Sequence, residues 1–240
     1  MLSLHNICYN LPNDERLIDG ISLDIEPGKL TVITGPNGGG KTSLAKIIAG
    51  LYVPTSGSVE LDGEDITNMS ITERAKKGIA YAFQQPVTFK GLSVKQLMEI
   101  AAGCEMPEVK MCGILEKVGL CAREYMDRQM DSHLSGGEMK RIEIATVLSR
   151  DSKYVIFDEP EAGIDLWSFA SLIEAFKNLK ETEDRALLII SHQERILSIA
   201  DKIAVVADGK ITKYGDAKDV LPEIIGDGIK GHCPMGKSIC

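Results

Sequence analysis

No two cysteines in this chain are spaced C-x-x-C, although six are present, at positions 8, 104, 112, 121, 233 and 240. That spacing argues against a zinc ribbon and against a small disulfide-stapled scaffold, and fits thiols kept reduced. Basic charge is also in short supply, with 27 Lys and Arg against 35 Asp and Glu, a formal net charge of -8. With no basic stripe to offset that balance, a dedicated nucleic-acid binder is disfavoured, and partners are sought among proteins and small anions. No apolar run reaches the roughly 18 residues a membrane helix needs. Met1 to Leu11 also lacks a charged segment followed by a long apolar one. The expectation is a cytoplasmic protein with no membrane span of its own. At 240 residues the chain is long enough for a full α/β core, or for such a core with an insertion.

What is present is organised around Gly35-Pro36-Asn37-Gly38-Gly39-Gly40-Lys41-Thr42, which fits G-x-x-x-x-G-K-[ST]. A triphosphate is wrapped by backbone N-H groups, and glycine lets the main chain curl closely without a Cβ clash. In that arrangement Lys41 reaches the β and γ phosphates, Thr42 offers a hydroxyl to Mg²⁺, and Ser43 opens the helix whose N-terminus faces the anion. The context has the required order. Leu30 to Thr34 reads as a buried strand, and Ser43 to Leu51 as a helix with Leu44, Ile47, Ile48 and Leu51 on one face.

A second informative stretch is Tyr154-Val155-Ile156-Phe157-Asp158-Glu159, an apolar strand ending in two carboxylates. With a phosphate loop upstream, and with ligands of open α/β sheets binding at the carboxyl ends of strands, Asp158 is expected to hold Mg²⁺ and Glu159 to activate the attacking water. Leu187 to Ile190 is a further buried strand, and His192 just beyond it is a candidate γ-phosphate sensor.

The remaining chain is read around these stretches. Leu2 to Tyr9 and Ile21 to Ile25 predict antiparallel strands leading into the phosphate loop; Ser58 to Leu61 with Asp62-Gly63 predicts a hairpin edge, and Gly78 to Phe83 a buried strand. From about residue 86 to 150 the pattern is helical, best over Val94 to Ala102, Val109 to Val118 and Gly136 to Ser149, which predicts a helical subdomain inserted in the core. Gln84 stands where its hinge would be. Trp167 to Lys180 reads as an amphipathic helix, and Asp208-Gly209 joins a terminal hairpin. Residues 1–222 are expected to form the domain, and the glycine-rich 223–240 an irregular tail. His232, Cys233 and Cys240 in that tail match no standard metal spacing.

These features together resemble the ABC-type ATPases, over about residues 2–222. Leu134-Ser135-Gly136-Gly137-Glu138 matches the family's signature motif, Ala162-Gly163-Ile164-Asp165 its D-loop with Asp165, Gln84 its hinge glutamine, and His192 its switch histidine, all in family order. The resemblance implies an α/β P-loop NTPase core with a mostly parallel sheet, an antiparallel β edge and an inserted helical subdomain. It implies Mg²⁺-dependent ATP hydrolysis, with Thr42, Gln84 and Asp158 toward the metal, Glu159, His192 and Gln84 as catalytic groups, and Tyr9 as a ring that stacks on adenine. It also implies a second ATPase subunit, whose signature residues complete the phosphate site across an ATP-dependent dimer.

Within the family, Glu138-Met139-Lys140-Arg141-Ile142-Glu143-Ile144 departs from transporter subunits, which commonly carry glutamine at the place of Lys140. This run, with Phe83-Gln84-Gln85-Pro86-Val87, Glu159 to Asp165 and Ser191 to Leu197, resembles the SufC branch, the ATPases of the SUF iron-sulfur cluster assembly machinery. That resemblance implies a soluble assembly scaffold as partner; the alternative is the nucleotide-binding subunit of a membrane transporter, of which Tyr9 is more typical, and Thr88 to Ser93, in the segment that would contact the partner, departs from the SufC pattern. A module that binds ATP without turnover is disfavoured because Lys41, Thr42, Asp158, Glu159 and His192 are all present. Lys140 is further expected to pair with Glu159 in the nucleotide-free chain and hold it away from the phosphate site.

Overall fold

The computed structural model describes residues 1–84, 89–130, 134–150, 152–182 and 185–229. Antiparallel strands β1 (Leu2–Asn10) and β2 (Arg16–Ile25) lead into β3 (Leu30–Thr34), the phosphate loop and helix α1 (Lys41–Ala49). Strands β4 (Ser56–Leu61) and β5 (Glu64–Asp65), the short helix α2 (Ile71–Lys76) and β6 (Ile79–Ala82) follow. Helices α3 (Val94–Ala102), α4 (Glu108–Lys117), α5 (Ala122–Tyr125) and α6 (Gly136–Ser149) separate β6 from β7 (Tyr154–Asp158). The chain continues through α7 (Leu166–Thr182), β8 (Ala186–Ile190), α8 (Glu194–Leu197), β9 (Lys202–Ala207), β10 (Lys210–Asp216) and α9 (Ala217–Ile229).

Among the described residues the strands form two sheets, a four-stranded antiparallel one in the order β2-β1-β4-β5 and a six-stranded one in the order β10-β9-β3-β8-β7-β6. In the larger sheet β9, β3, β8, β7 and β6 run parallel, and β10 returns antiparallel at one edge. The predicted antiparallel edge is therefore mainly a separate sheet. Strands β3, β7 and β8 are buried at every position, as parallel strands covered on both faces must be.

The two-residue period of a strand then divides the core. Leu30, Val32, Val155, Phe157, Leu187 and Ile189 join the cluster that includes the apolar faces of α3, α4, α6 and α7. Ile33, Tyr154, Ile156, Leu188 and Ile190 join the opposite cluster, shared with α1 and the antiparallel sheet. Helices α3 to α6 thus pack on the same core as the sheet rather than around one of their own.

The carboxyl-terminal expectation needs correction, because α9 runs through Ile229, and residues 223–229 are helical rather than irregular. Pro222 lies inside α9, where it removes one N-H donor and its ring crowds the carbonyl four residues back. Ala217 and Val220 are buried in the core, and Leu221 and Ile224 pack against it, so the apolar face carries the helix past the proline. Residues 230–240, including His232, Cys233 and Cys240, lie outside the described residues, as do Gln85 to Thr88.

Candidate nucleotide-binding site

Strand order brings the candidate residues together. Because β3, β8, β7 and β6 are parallel neighbours, their carboxyl ends share one edge of the sheet. The phosphate loop leaves β3 there, Ser191-His192 leaves β8, Asp158-Glu159 ends β7, and Gln84 follows β6. This edge is where open parallel sheets place ligands.

The loop is shaped by glycine. Gly35 has φ 133° and a Cβ there would sit 2.0 Å from the Val206 carbonyl oxygen, so no other residue fits. Gly40, at φ 97°, is the N-cap of α1, whose first N-H groups have no partner within the helix. The buried Lys41 ammonium donates to the carbonyls of Gly35 and Pro36, both at 2.8 Å, and so holds the loop closed on itself. Desolvation pushes the Lys41 pKa below its ordinary value, against the opposing pull of Glu159 and Asp158. A cavity of about 170 Å³ opens here, lined by Asn37, Gly38, Gly40 to Ser43, Glu159 and Leu17.

Asp158 is 1% exposed, and both its carboxylate oxygens are engaged. Thr42 Oγ1 donates to Oδ1 at 3.0 Å and Tyr81 Oη to Oδ2 at 2.7 Å. Burial raises the Asp158 pKa while these two hydroxyls lower it, and burial with the Asp158 charge pushes the Tyr81 phenol well above its usual range, so Tyr81 remains a donor. Tyr81 was not singled out by the sequence, where it reads only as one residue of a buried strand. The meeting of a threonine hydroxyl with a desolvated carboxylate is the oxygen donor set that suits a hard cation such as Mg²⁺.

Glu159 has φ 46°, a left-handed conformation uncommon for a residue other than glycine, asparagine or aspartate. Its N-H is tied to the Ile190 carbonyl at 3.0 Å, and its carboxylate accepts the Gln84 side-chain amide at 2.5 Å. Two residues on, the largely buried Glu161 accepts the Ser191 hydroxyl, and burial raises its pKa. His192 follows at the exposed end of β8.

Other expected residues stand apart from this cavity. Tyr9 stacks on Tyr52, ring centroids 5.3 Å apart and planes 6° from parallel, while Lys46 lies over the Tyr52 ring at 5.2 Å. Leu17, not Tyr9, lines the cavity. Leu134 is buried, and Ser135 caps α6: its hydroxyl accepts the Glu138 N-H at 3.2 Å and the Glu138 carboxylate accepts the Ser135 N-H at 2.7 Å. The Tyr125 hydroxyl and Arg128 also hold Glu138, and the Tyr125 bond above all draws its pKa down to about 2. Gly136 and Gly137 lie beside the Gly163 to Asp165 loop, and Asp165 accepts both the N-H and the hydroxyl of Ser168 in the first turn of α7. None of Leu134 to Glu138 lines the phosphate-loop cavity.

The expected Lys140 to Glu159 latch is absent. Lys140 is fully buried and pairs with Glu143 at 2.9 Å, one helical turn along its own helix, while also donating to the Phe83 carbonyl. Glu159 has Gln84 as its partner instead. An i,i+3 neighbour is held in reach by the helix itself, which a residue on another strand is not.

The comparisons agree with this geometry. The ABC transporter family profile matches residues 18–162. An uncharacterized ABC transporter ATP-binding protein of Methanocaldococcus jannaschii is 37% identical over 215 residues, covering 86% of each chain. An energy-coupling factor transporter ATP-binding protein of Mycoplasma mobile is 32% identical over 92% of this chain and 82% of its own, and an Fe(3+) ions import ATP-binding protein of Photobacterium profundum 31% identical over 90% and 62%. Among solved structures, a nucleotide-free ATP-binding cassette from an ABC transporter superposes with a TM-score of 0.83 at 25% identity, over 99% of both chains. A dimeric bacterial ABC transporter cassette superposes with a TM-score of 0.81 at 22% identity, a likeness of fold. With the P-loop cassette fold, the glycine cradle and the paired strand-end carboxylates in place, the chain belongs to the ABC transporter family of ATPases.

Proposed function

We propose that this chain binds ATP at the Gly35 to Ser43 loop and hydrolyses it in a dimer of ATPase subunits. The observation that carries the reading is the assembly on one sheet edge of Lys41, the Thr42 to Asp158 contact and the Gln84 to Glu159 contact. Loop N-H groups and the start of α1 receive the phosphates, and Lys41 exchanges its two carbonyl partners for phosphate oxygens. Thr42 and Asp158, with Gln84 beside them, are the residues that would hold Mg²⁺, whose chemistry there is to neutralise charge on the β and γ phosphates. Glu159 takes the proton of a water that attacks the γ phosphorus as the bond to the β-γ bridging oxygen breaks, leaving ADP and inorganic phosphate. His192 stands at the end of the neighbouring strand as a γ-phosphate contact. Ser135, Gly136 and Gly137 at the start of α6 serve the site of a second copy, with Asp165 in the adjoining loop.

For the partner, the names of the relatives support the membrane subunit of a transporter, since two of them are called an energy-coupling factor transporter and an Fe(3+) ions import ATP-binding protein. Among the described residues no helix is long and apolar enough to cross a membrane. A second reading, a soluble iron-sulfur assembly scaffold, rests on the Glu138 to Ile144 run, where the structure buries the lysine that departs from the transporter pattern. Co-purification from the native cell separates the two: an integral membrane protein supports the first, a soluble partner with bound iron the second. For the chemistry, Glu159→Gln should bind ATP, lose turnover and accumulate as dimer. Hydrolysis at the wild-type rate by that variant would remove Glu159 as the base.

A further inference from the structure

We propose that the buried pair Lys140 and Glu143 is a clasp that positions Gln84, coupling the helix that starts at the signature motif to the carboxylate of Glu159. The inference rests on the reading of Glu159 as the hydrolytic base.

Strand β6 ends at Ala82, so Phe83 is the first residue beyond the ladder and its backbone groups need other partners. Two side chains of α6 supply them. Glu143 Oε1 accepts the Phe83 N-H at 2.9 Å, and Lys140 Nζ donates to the Phe83 carbonyl and lies 3.4 Å from that of Gln84. Lys140 and Glu143 are themselves paired at 2.9 Å, with side chains 0% and 13% exposed. The next side chain along, that of Gln84, donates to Glu159. One unbroken run of polar contacts therefore joins α6, Phe83, Gln84 and Glu159.

The energetics point away from simple stabilisation. Two opposite charges in an interior recover little beyond their desolvation, and an apolar pair of similar volume commonly serves stability as well or better. What the pair adds is direction, because each charge grips one of the two backbone groups of a single residue. Burial raises the Glu143 pKa, while Lys140 and the Phe83 N-H oppose it. Ser135 and Gly136, which begin the same helix, are placed to meet a second copy. A shift of α6 on closure is carried through the clasp to Gln84 and to the orientation of Glu159.

The test uses the full chain carrying both Lys140→Met and Glu143→Leu, so that neither charge is left buried alone. The expected result is a kcat about tenfold lower with KM for ATP within about twofold of wild type, as for an interaction used in the transition state. Amide hydrogen exchange at Phe83 should rise at least about tenfold while that of β3 and β7 stays unchanged. Lys140→Met alone should fold less well, since it strands the Glu143 carboxylate. A kcat within twofold of wild type overturns the clasp. So does a kcat loss without faster exchange at Phe83, or a loss of kcat, KM and strand protection together, which is what a purely structural pair would produce. Glu159→Gln is run beside it: if that variant turns over normally the base assignment fails, whereas a dead Glu159→Gln with a normal double variant removes the clasp alone.

Discussion

The two ends of the proposed composite site are built in opposite ways. The phosphate-loop end is assembled from the carboxyl ends of four parallel strands distant in sequence, with Thr42 and Asp158, 116 residues apart, in direct contact. The signature end is local, a helix start closed by a capping box between Ser135 and Glu138 and tied to Tyr125 and Arg128 nearby. One end has its charges desolvated and fixed by the fold; the other presents a helix N-terminus toward whatever approaches it. A site divided in this manner keeps its chemistry in one rigid half and its control in the half that another molecule must bring.

The largest expected effect breaks each end separately. Lys41→Ala removes the ammonium of the cradle and should lower turnover by about 10²-fold or more, the scale of losing a single transition-state donor. Ser135→Arg should do the same by blocking the helix start. Mixing the two variants gives mixed dimers with one site carrying both changes and one site carrying neither. Partial recovery of turnover is expected; no recovery at any ratio, with mixed dimers demonstrated by mass, would show that the ends do not meet between chains.

A smaller effect sharpens the rigid half. Tyr81→Phe leaves the ring in place against Phe83, whose centroid is 5.0 Å away, and removes only the hydroxyl that holds Asp158 Oδ2. Leaving a buried acceptor unpaired costs about 1 to 3 kcal/mol. The expected outcome is a Mg²⁺ requirement raised several-fold, with ATP binding measured without the cation nearly unchanged. An unaltered Mg²⁺ dependence would mean that Thr42 alone orients Asp158.

The difference between the halves also governs what was legible in the sequence. The phosphate loop, the β7 carboxylates and the spans Val94–Ala102 and Gly136–Ser149 were readable because each is a contiguous pattern with its own start signal, such as Ser93 or Ser135 as N-cap. Tyr81 and the Lys140 to Glu143 pair were not, since their partners are set by strand order and helix packing. The sequence points Lys140 toward Glu159, and only the position of α6 over Phe83 turns it inward to Glu143 and the Phe83 carbonyl. Arg74 is a similar case: its guanidinium is buried, takes the carbonyls of Ile47 and Ile48 at the end of α1, and is brought by burial to a pKa of about 10. The capping box at Ser70 and Glu73 that starts its helix was present in the sequence, but six residues of mixed charge give too short a period to stand out. In α9 the glycines masked an apolar face that Val220 and Ile224 maintain.

The smallest effect tests whether the signature end is held by charge. The Glu138 carboxylate is drawn down to about 2 from an ordinary 4.5, first by the Tyr125 hydroxyl and then by the Ser135 N-H. A depressed carboxylate contributes stability that is fully present above its unfolded value and is lost as pH falls toward its folded one. Between about pH 4.5 and 2 the unfolded chain binds the proton that the folded chain refuses, so stability falls on acidification. Glu138→Gln keeps a capping side chain but has no such proton, and other carboxylates cancel when the two proteins are compared at each pH. At pH 6 wild type should exceed the variant by on the order of 1 kcal/mol or less, given partial exposure. The gap should narrow steadily as urea midpoints are followed from pH 5 down to the acid limit of folding. A gap that stays constant over that range would mean that the cap, not the charge, holds the start of α6, and that Glu138 could be neutral there without loosening the half of the site offered to a second copy.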